Sequence, residues 1–72
     1  MKMEVGLTDK GRRVIKSMPY TGPDMMVLDH LNRYGAADLD EIALSTRMDK
    51  RVVKQILKTL FRRRLVQRGG GY

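Results

Sequence analysis

The sequence predicts a mainly α-helical fold with a small β element near the C-terminus. Three observations indicate this class. Apolar residues recur every three or four positions in several segments, as they do on the buried face of an amphipathic helix. Residues that start or stop helices separate these segments. Candidate strands are short and lie mostly at the two ends of the chain.

Length and composition limit the chain to one small domain. It has 72 residues, of which 42% are apolar, and this suffices for one hydrophobic core but not for a separate catalytic domain. We expect a single domain over 1–72. It comprises a strand-and-helix extension at 1–19, the core and the start of the β element at 24–68, and a glycine-rich turn at 69–72.

The N-terminal segment predicts a short strand followed by a helix. Apolar and polar residues alternate over 1–5, which suits an extended chain. Thr8 or Asp9 can cap the helix, and Pro19 stops it. The apolar face of this helix consists of Gly11, Val14, Ile15 and Met18, and its opposite face of Arg12, Arg13 and Lys16.

A second helix is predicted from about Asp24 to Tyr34. Pro23 suits its first turn, and Gly35 can close it in the left-handed conformation. Its expected core face consists of Val27, Leu28, Leu31 and Tyr34. His30 lies at the border of that face, where we expect a partly exposed structural histidine.

A third, short helix is predicted to begin at Asp38. Glu41 follows Asp38 at the spacing of a capping box. The apolar side of this helix consists of Leu39, Ile42, Ala43 and Thr46. Residues 36–37 before it leave room for a very short strand or a tight connection, and residues 47–48 after it form a turn.

The fourth and longest helix is predicted over 49–63, with Asp49 as its cap. Its apolar stripe consists of Val53, Ile56, Leu57 and Leu60. At about 100° per residue, the opposite side carries Arg51, Lys54, Gln55, Lys58 and Arg62. A short strand is predicted at 65–68, the glycines at 69–71 suit a turn, and Tyr72 can begin a return strand.

The distribution of charge indicates a polyanionic partner. Residues 50–72 contain eight basic and no acidic side chains, whereas residues 1–49 contain seven basic and eight acidic ones, so their formal charges are +8 and −1. Basic residues that serve only solubility would be interspersed with acidic ones. Nucleic acid is therefore the first candidate partner.

Several chemistries are excluded. The chain has no cysteine and one histidine, His30, so it cannot form a disulfide, a thiol nucleophile or a histidine-rich metal site. No catalytic pair or phosphate-binding loop is recognisable, and we expect no enzyme activity, cofactor or metal. Apolar runs are too short for a membrane span or a signal peptide, so we expect a cytoplasmic protein.

Residues 38–68 resemble the winged helix-turn-helix family of DNA-binding domains. The matching pieces are Glu41, Ile42 and Ala43 in the first helix of the motif, Met48 and Asp49 at the turn, Val53, Leu57 and Leu60 in the next helix, and Arg63 to Val66 leading into the wing. The resemblance covers most of the chain if the helix at 24–34 is counted as well. It implies a mainly α fold with a small β wing: a tri-helical core, an additional N-terminal helix, and a short β-hairpin or strand near the C-terminus.

The match has two departures and one displaced segment. Arg47 in the turn and Arg64 before the Leu–Val strand stand where the family usually has glycine. Residues 7–12 are similar to the L-T-x-x-G-R segment that follows the wing in some bacterial and archaeal regulators. Here the segment precedes the core, so its role there is not transferred to this chain.

The resemblance implies sequence-dependent binding of double-stranded DNA and transcription regulation in the cytoplasm, on the nucleoid, with helix 49–63 inserted in the major groove. Arg51, Lys54 and Gln55 are best placed for bases, since arginine can bond guanine and glutamine adenine through paired hydrogen bonds. Phosphate or minor-groove contacts are expected from Lys50, Lys58, Arg62 and Arg68. Further phosphate contacts, if the first helix lies beside the fourth, would come from Arg12, Arg13 and Lys16.

Two other functions remain open. The same basic face could bind RNA or a ribonucleoprotein. The domain could instead mediate protein contacts in a multi-subunit complex, through Met25 and Met26 or through the exposed ends of the strands. Gap-filling packing is the more usual role of such methionines. A homodimer through the first helix or strand, or membership of a larger assembly, is compatible with the sequence.

Overall fold

The computed structural model of the protein describes residues 3–17 and 22–69. Within these ranges the elements are β1 (Glu4–Leu7), α1 (Asp9–Ser17), α2 (Pro23–Tyr34), β2 (Ala37–Asp38), α3 (Leu39–Thr46), α4 (Lys50–Arg62) and β3 (Val66–Arg68). The expectation of a mainly helical fold with a small β element is confirmed. The expectations about Met18, Pro19 and Tyr72, and the part of the expected glycine-rich turn at 70–72, lie outside the described residues.

The sheet joins the two ends of the described chain. Its strand order is β2-β1-β3, and both pairings are antiparallel. Val5 of β1 lies opposite Ala37 on one side and Arg68 on the other. At the end of the ladder the Gly69 N–H donates to the Glu4 carbonyl over 2.8 Å. The described part of the expected extension at 1–19 therefore supplies the central strand, and the described partner of β3 is β1.

The hydrophobic core receives side chains from all three strands and from α2, α3 and α4. Its buried residues are Val5, Leu7, Val27, Leu28, Leu31, Ala37, Ile42, Ala43, Val53, Ile56, Leu57, Leu60, Leu65 and Val66. The predicted apolar stripe of α4 is confirmed. Helix α1 adds Val14 and Ile15, which are half-buried against this core.

Three helices begin at side-chain caps that the sequence predicted. The Thr8 hydroxyl accepts from the Gly11 N–H over 3.0 Å. Asp38 accepts from the Glu41 N–H over 2.8 Å, and Asp49 accepts from the Arg51 N–H over 2.9 Å. These bonds satisfy backbone donors that have no partner inside the helix.

Two residues of α2 differ from the sequence prediction. Tyr34, expected on the core face, is 69% exposed, whereas His30, expected to be partly exposed, is only 7% exposed. The two rings lie 5.0 Å apart, and the His30 Nε2 atom is 4.0 Å from Oε2 of Glu41 in α3. Helical periodicity assigns residues to a face, but packing against α3 decides which of two adjoining rings lies inward.

The N-terminus of α1 is fixed to the junction between α4 and β3. The Thr8 hydroxyl donates to the Arg64 carbonyl over 2.7 Å, and the Thr8 N–H donates to the Leu65 carbonyl over 3.1 Å. Gly11 is buried, and a β-carbon built at this position would collide with the Leu65 carbonyl oxygen. Glycine is therefore required here by the close approach of two backbones.

The two arginines that stand where the resembled family usually has glycine both adopt the backbone conformation that favours glycine. Arg47 has a φ of 59° and Arg64 a φ of 61°. Arg47 ends α3, and Arg64 lies in the turn after α4, where its N–H donates to the Phe61 carbonyl over 3.0 Å. A side chain at such an angle costs roughly 1–2 kcal/mol through contact of its β-carbon with the backbone.

We expect Gly11→Ala to destabilise the protein by about 1–3 kcal/mol, the usual cost of overpacking. Helix propensity alone predicts the opposite, a gain of roughly 1 kcal/mol. Urea unfolding measures the difference. Lys10→Ala, at the exposed neighbouring position, should change stability by less than about 0.5 kcal/mol. A Gly11→Ala protein as stable as the parent would contradict the close packing on Leu65.

We expect Arg64→Gly and Arg47→Gly each to stabilise the fold by about 0.5–1 kcal/mol. The relief of backbone strain exceeds the entropy that glycine adds to the unfolded chain. Thermal and urea unfolding measure the effect. Arg63→Gly is the matched control, because its φ of −85° offers no strain to relieve and the change should destabilise. If Arg63→Gly and Arg64→Gly change the free energy of unfolding equally, the backbone at Arg64 is not strained.

Candidate nucleic-acid interface

The cationic face of α4 consists of Arg51, Lys54, Gln55, Lys58 and Arg62. All five side chains are exposed. They point away from the buried stripe because positions separated by three, four and seven residues share one side of a helix. The stripe packs against α2, α3 and β3, and this packing fixes the rotation of α4. The structure therefore brings the predicted helix residues together on one open surface.

The cationic face lacks acidic neighbours on its own element. No Asp or Glu occurs from position 50 onward. Among residues 3–17 and 22–69, none of Arg51, Lys54, Lys58 and Arg62 forms an ion pair. These cations are therefore available to an external anion without first breaking an internal pair.

Lys50 differs from the rest of the predicted set. Its Nζ atom lies 3.1 Å from Oδ1 of Asp40 in α3. Lys50 is therefore directed toward α3, at the margin of the cationic face. The ion pair is partly exposed on both sides, so it contributes at most about 1 kcal/mol to stability. A phosphate contact by Lys50 would compete with this pair.

Arg68 lies apart from α4, at the end of β3. It is exposed and stands opposite Val5 in the ladder. Gly69 follows with a φ of 94°, so the chain turns immediately beyond the strand. The β1–β3 pair thus carries Arg68 at one end of its ladder.

Helix α1 presents a second group of cations. Arg12, Arg13 and Lys16 are exposed, as predicted. The main neighbours of α1 are α2 and β1, so α1 does not pack along α4. Phosphate contacts from α1 were expected only if it lay beside α4, and this condition is not met. Arg12 also pairs with Asp9 over 3.0 Å.

The set of exposed arginines is larger than the one that the sequence singled out. Arg47, Arg63 and Arg64 are also exposed, and they lie at the two ends of α4. Their positive charge was visible in the sequence. Their place beside α4 depends on the turns at 47–49 and 63–65, which helical periodicity does not describe.

Two acidic residues at the start of α3 bind groups within the protein. Asp38 caps α3, and Asp40 holds Lys50. In the part of the chain that the structure describes, no three His, Cys, Asp or Glu side chains are grouped as a metal site requires. No helix there combines the length and the hydropathy needed to cross a bilayer.

Comparison of the chain with protein-family models, curated proteins and solved structures finds no match.

If the cationic face of α4 binds duplex DNA, Asp40→Asn should strengthen that binding by roughly two- to threefold and steepen its salt dependence by about one counterion. The change releases Lys50 and removes a negative charge beside α4. Fluorescence anisotropy at several salt concentrations measures both quantities. Asp29→Asn is the matched control, because it also removes one negative charge, from an ion pair with Arg33 within α2. If the two variants bind equally, the Asp40–Lys50 pair has no effect on the interface.

Proposed function

We propose that the protein is a winged helix-turn-helix domain that binds double-stranded DNA and acts in transcription regulation. The observation that carries the proposal is the exposed cationic face of α4, which lies opposite a fully packed apolar stripe. A helix with this division fits the major groove of B-form DNA and presents side chains to base edges and phosphates.

The arrangement of helices supports this proposal. Helices α2, α3 and α4 pack against one another and provide the tri-helical core. The connection from α3 to α4 is a tight turn, in which Arg47 is left-handed and the Met48 N–H donates to the Ala43 carbonyl over 3.1 Å. Because Arg47 and Arg64 adopt the angles that glycine favours, the two departures from the family pattern preserve the shape of the turns.

The sheet also supports the proposal of a wing, but the strand that pairs with β3 is not the one that the sequence predicted. We propose that the wing consists of β3 paired with β1, although these strands come from opposite ends of the chain. Because β1 is a wing strand in this proposal, the L-T-x-x-G-R segment at 7–12, which begins at the last residue of β1, directly follows a wing strand. Its threonine and glycine fix α1 to Arg64 and Leu65. In this proposal the family arrangement is kept while the order of elements along the chain is changed.

Two kinds of contact are assigned on α4. Arg51 and Gln55 lie in its first two turns, and we propose that they read base edges, with Lys54 beside them. Lys58 and Arg62 lie farther along the same face and are assigned to phosphates. Arg68 is assigned to the minor groove next to the wing. Lys50 is assigned to a phosphate that displaces Asp40.

We expect duplex DNA binding to weaken steeply with salt. If four to six phosphates are neutralised, log K should fall against log salt with a slope of roughly −4 to −5. Replacing Arg51 or Gln55 by alanine should change sequence preference, whereas Lys58→Ala should weaken binding to all sequences about equally. Anisotropy titrations and selection from a random duplex pool measure these effects.

Competition at one salt concentration distinguishes the alternatives. Duplex RNA of equal length should compete poorly, because its deep and narrow major groove does not admit a helix. Equal competition by RNA would favour the ribonucleoprotein alternative. A flat salt dependence, or identical effects of the Arg51, Gln55 and Lys58 variants, would reject the groove-reading assignment.

A further inference from the structure

Val52 is an apolar side chain at the edge of the cationic face. It is 45% exposed and lies in the first turn of α4, between Arg51 and the buried Val53. A β-branched residue at an exposed helical position does not favour helix formation. Helix stability therefore does not explain valine here.

The neighbouring ion pair shows which flank of α4 faces α3, and thereby where Val52 lies relative to α3. Lys50 is directed toward α3 by its contact with Asp40. Two residues later the helix has turned by about 200°, so Val52 lies on the other flank of α4. It is about 60° around the helix from Gln55 and about 5 Å along its axis. One groove could therefore accommodate both side chains.

Val52 is the exposed large apolar side chain of α4. The other large apolar side chains that are exposed among the described residues are Met3, Met26, Tyr34 and Leu44. All of them lie outside α4. A protein-docking surface would require a contiguous apolar area of several hundred Å², which a single valine does not provide.

We propose that Val52 contacts the 5-methyl group of a thymine in the major groove, next to the base pair read by Arg51 or Gln55. This inference rests on the proposed function and names the class of target: a duplex with an A·T pair at a fixed place. The thymine methyl is an apolar group that a base presents in this groove. Beside a cytosine or adenine amino group, the isopropyl group would leave a desolvated donor without a partner.

The test uses a preferred duplex selected from a random pool by the unaltered protein. Thymidine is then replaced by deoxyuridine at one position at a time, which removes only the methyl group. We expect about fourfold weaker binding at one position, the effect of losing one buried methyl group. The Val52→Ala variant should bind the thymidine and deoxyuridine duplexes with nearly equal affinity.

Thr59→Ala is the matched control, since position 59 is exposed on the same flank two turns farther along α4. It should retain the fourfold preference. Val52→Ala should unfold at nearly the same urea concentration as the unaltered protein, because Val52 lies outside the core.

Three outcomes overturn the inference while leaving DNA binding intact. They are equal binding of all deoxyuridine duplexes by the unaltered protein, an unchanged thymine preference in Val52→Ala, and the absence of any preferred sequence. Failure to bind any duplex instead rejects the proposed function itself.

Discussion

The burial of one apolar stripe on α4 determines where every candidate contact residue of that helix points. Val53 and Leu60 are fully buried, and Ile56 and Leu57 nearly so. Rotating α4 enough to expose them would cost about 1.5–3 kcal/mol per side chain. Repulsion between exposed like charges in water is about 1 kcal/mol or less and is further reduced by salt. Apolar packing therefore outweighs the mutual repulsion of the cations on the opposite side.

A second constraint connects α4 to the sheet. Thr8 contacts the Arg64 and Leu65 carbonyls, and Gly11 allows α1 to lie directly against the same backbone. The direction in which the chain leaves α4 is thus held by a segment from the other end of the sequence. If the domain contacts DNA with both α4 and Arg68, this junction sets the distance between the two contacts.

Much of this architecture was predictable because its causes are local. The caps at Asp38 and Asp49 and the stripe on α4 depend on residues within a few positions of each other. The pairing of β1 with β3 depends on residues at opposite ends of the chain, and periodicity contains no information about such partners. His30 and Tyr34 were misplaced for a similar reason, since contact with α3 decides their burial. The cationic face of α4 was predictable from the same periodicity as the stripe, because both depend only on spacing within one helix.

The central place of β1 has a consequence for how the protein folds. During synthesis β1 emerges before its partner β3, and helices α1 to α4 lie between the two strands. The helices can form from nearby contacts, whereas this pairing must close a loop that contains α1 to α4, which is an entropically slow step. Until then β1 has an unpaired edge, and partially made chains carry a strand that is prone to associate with other chains.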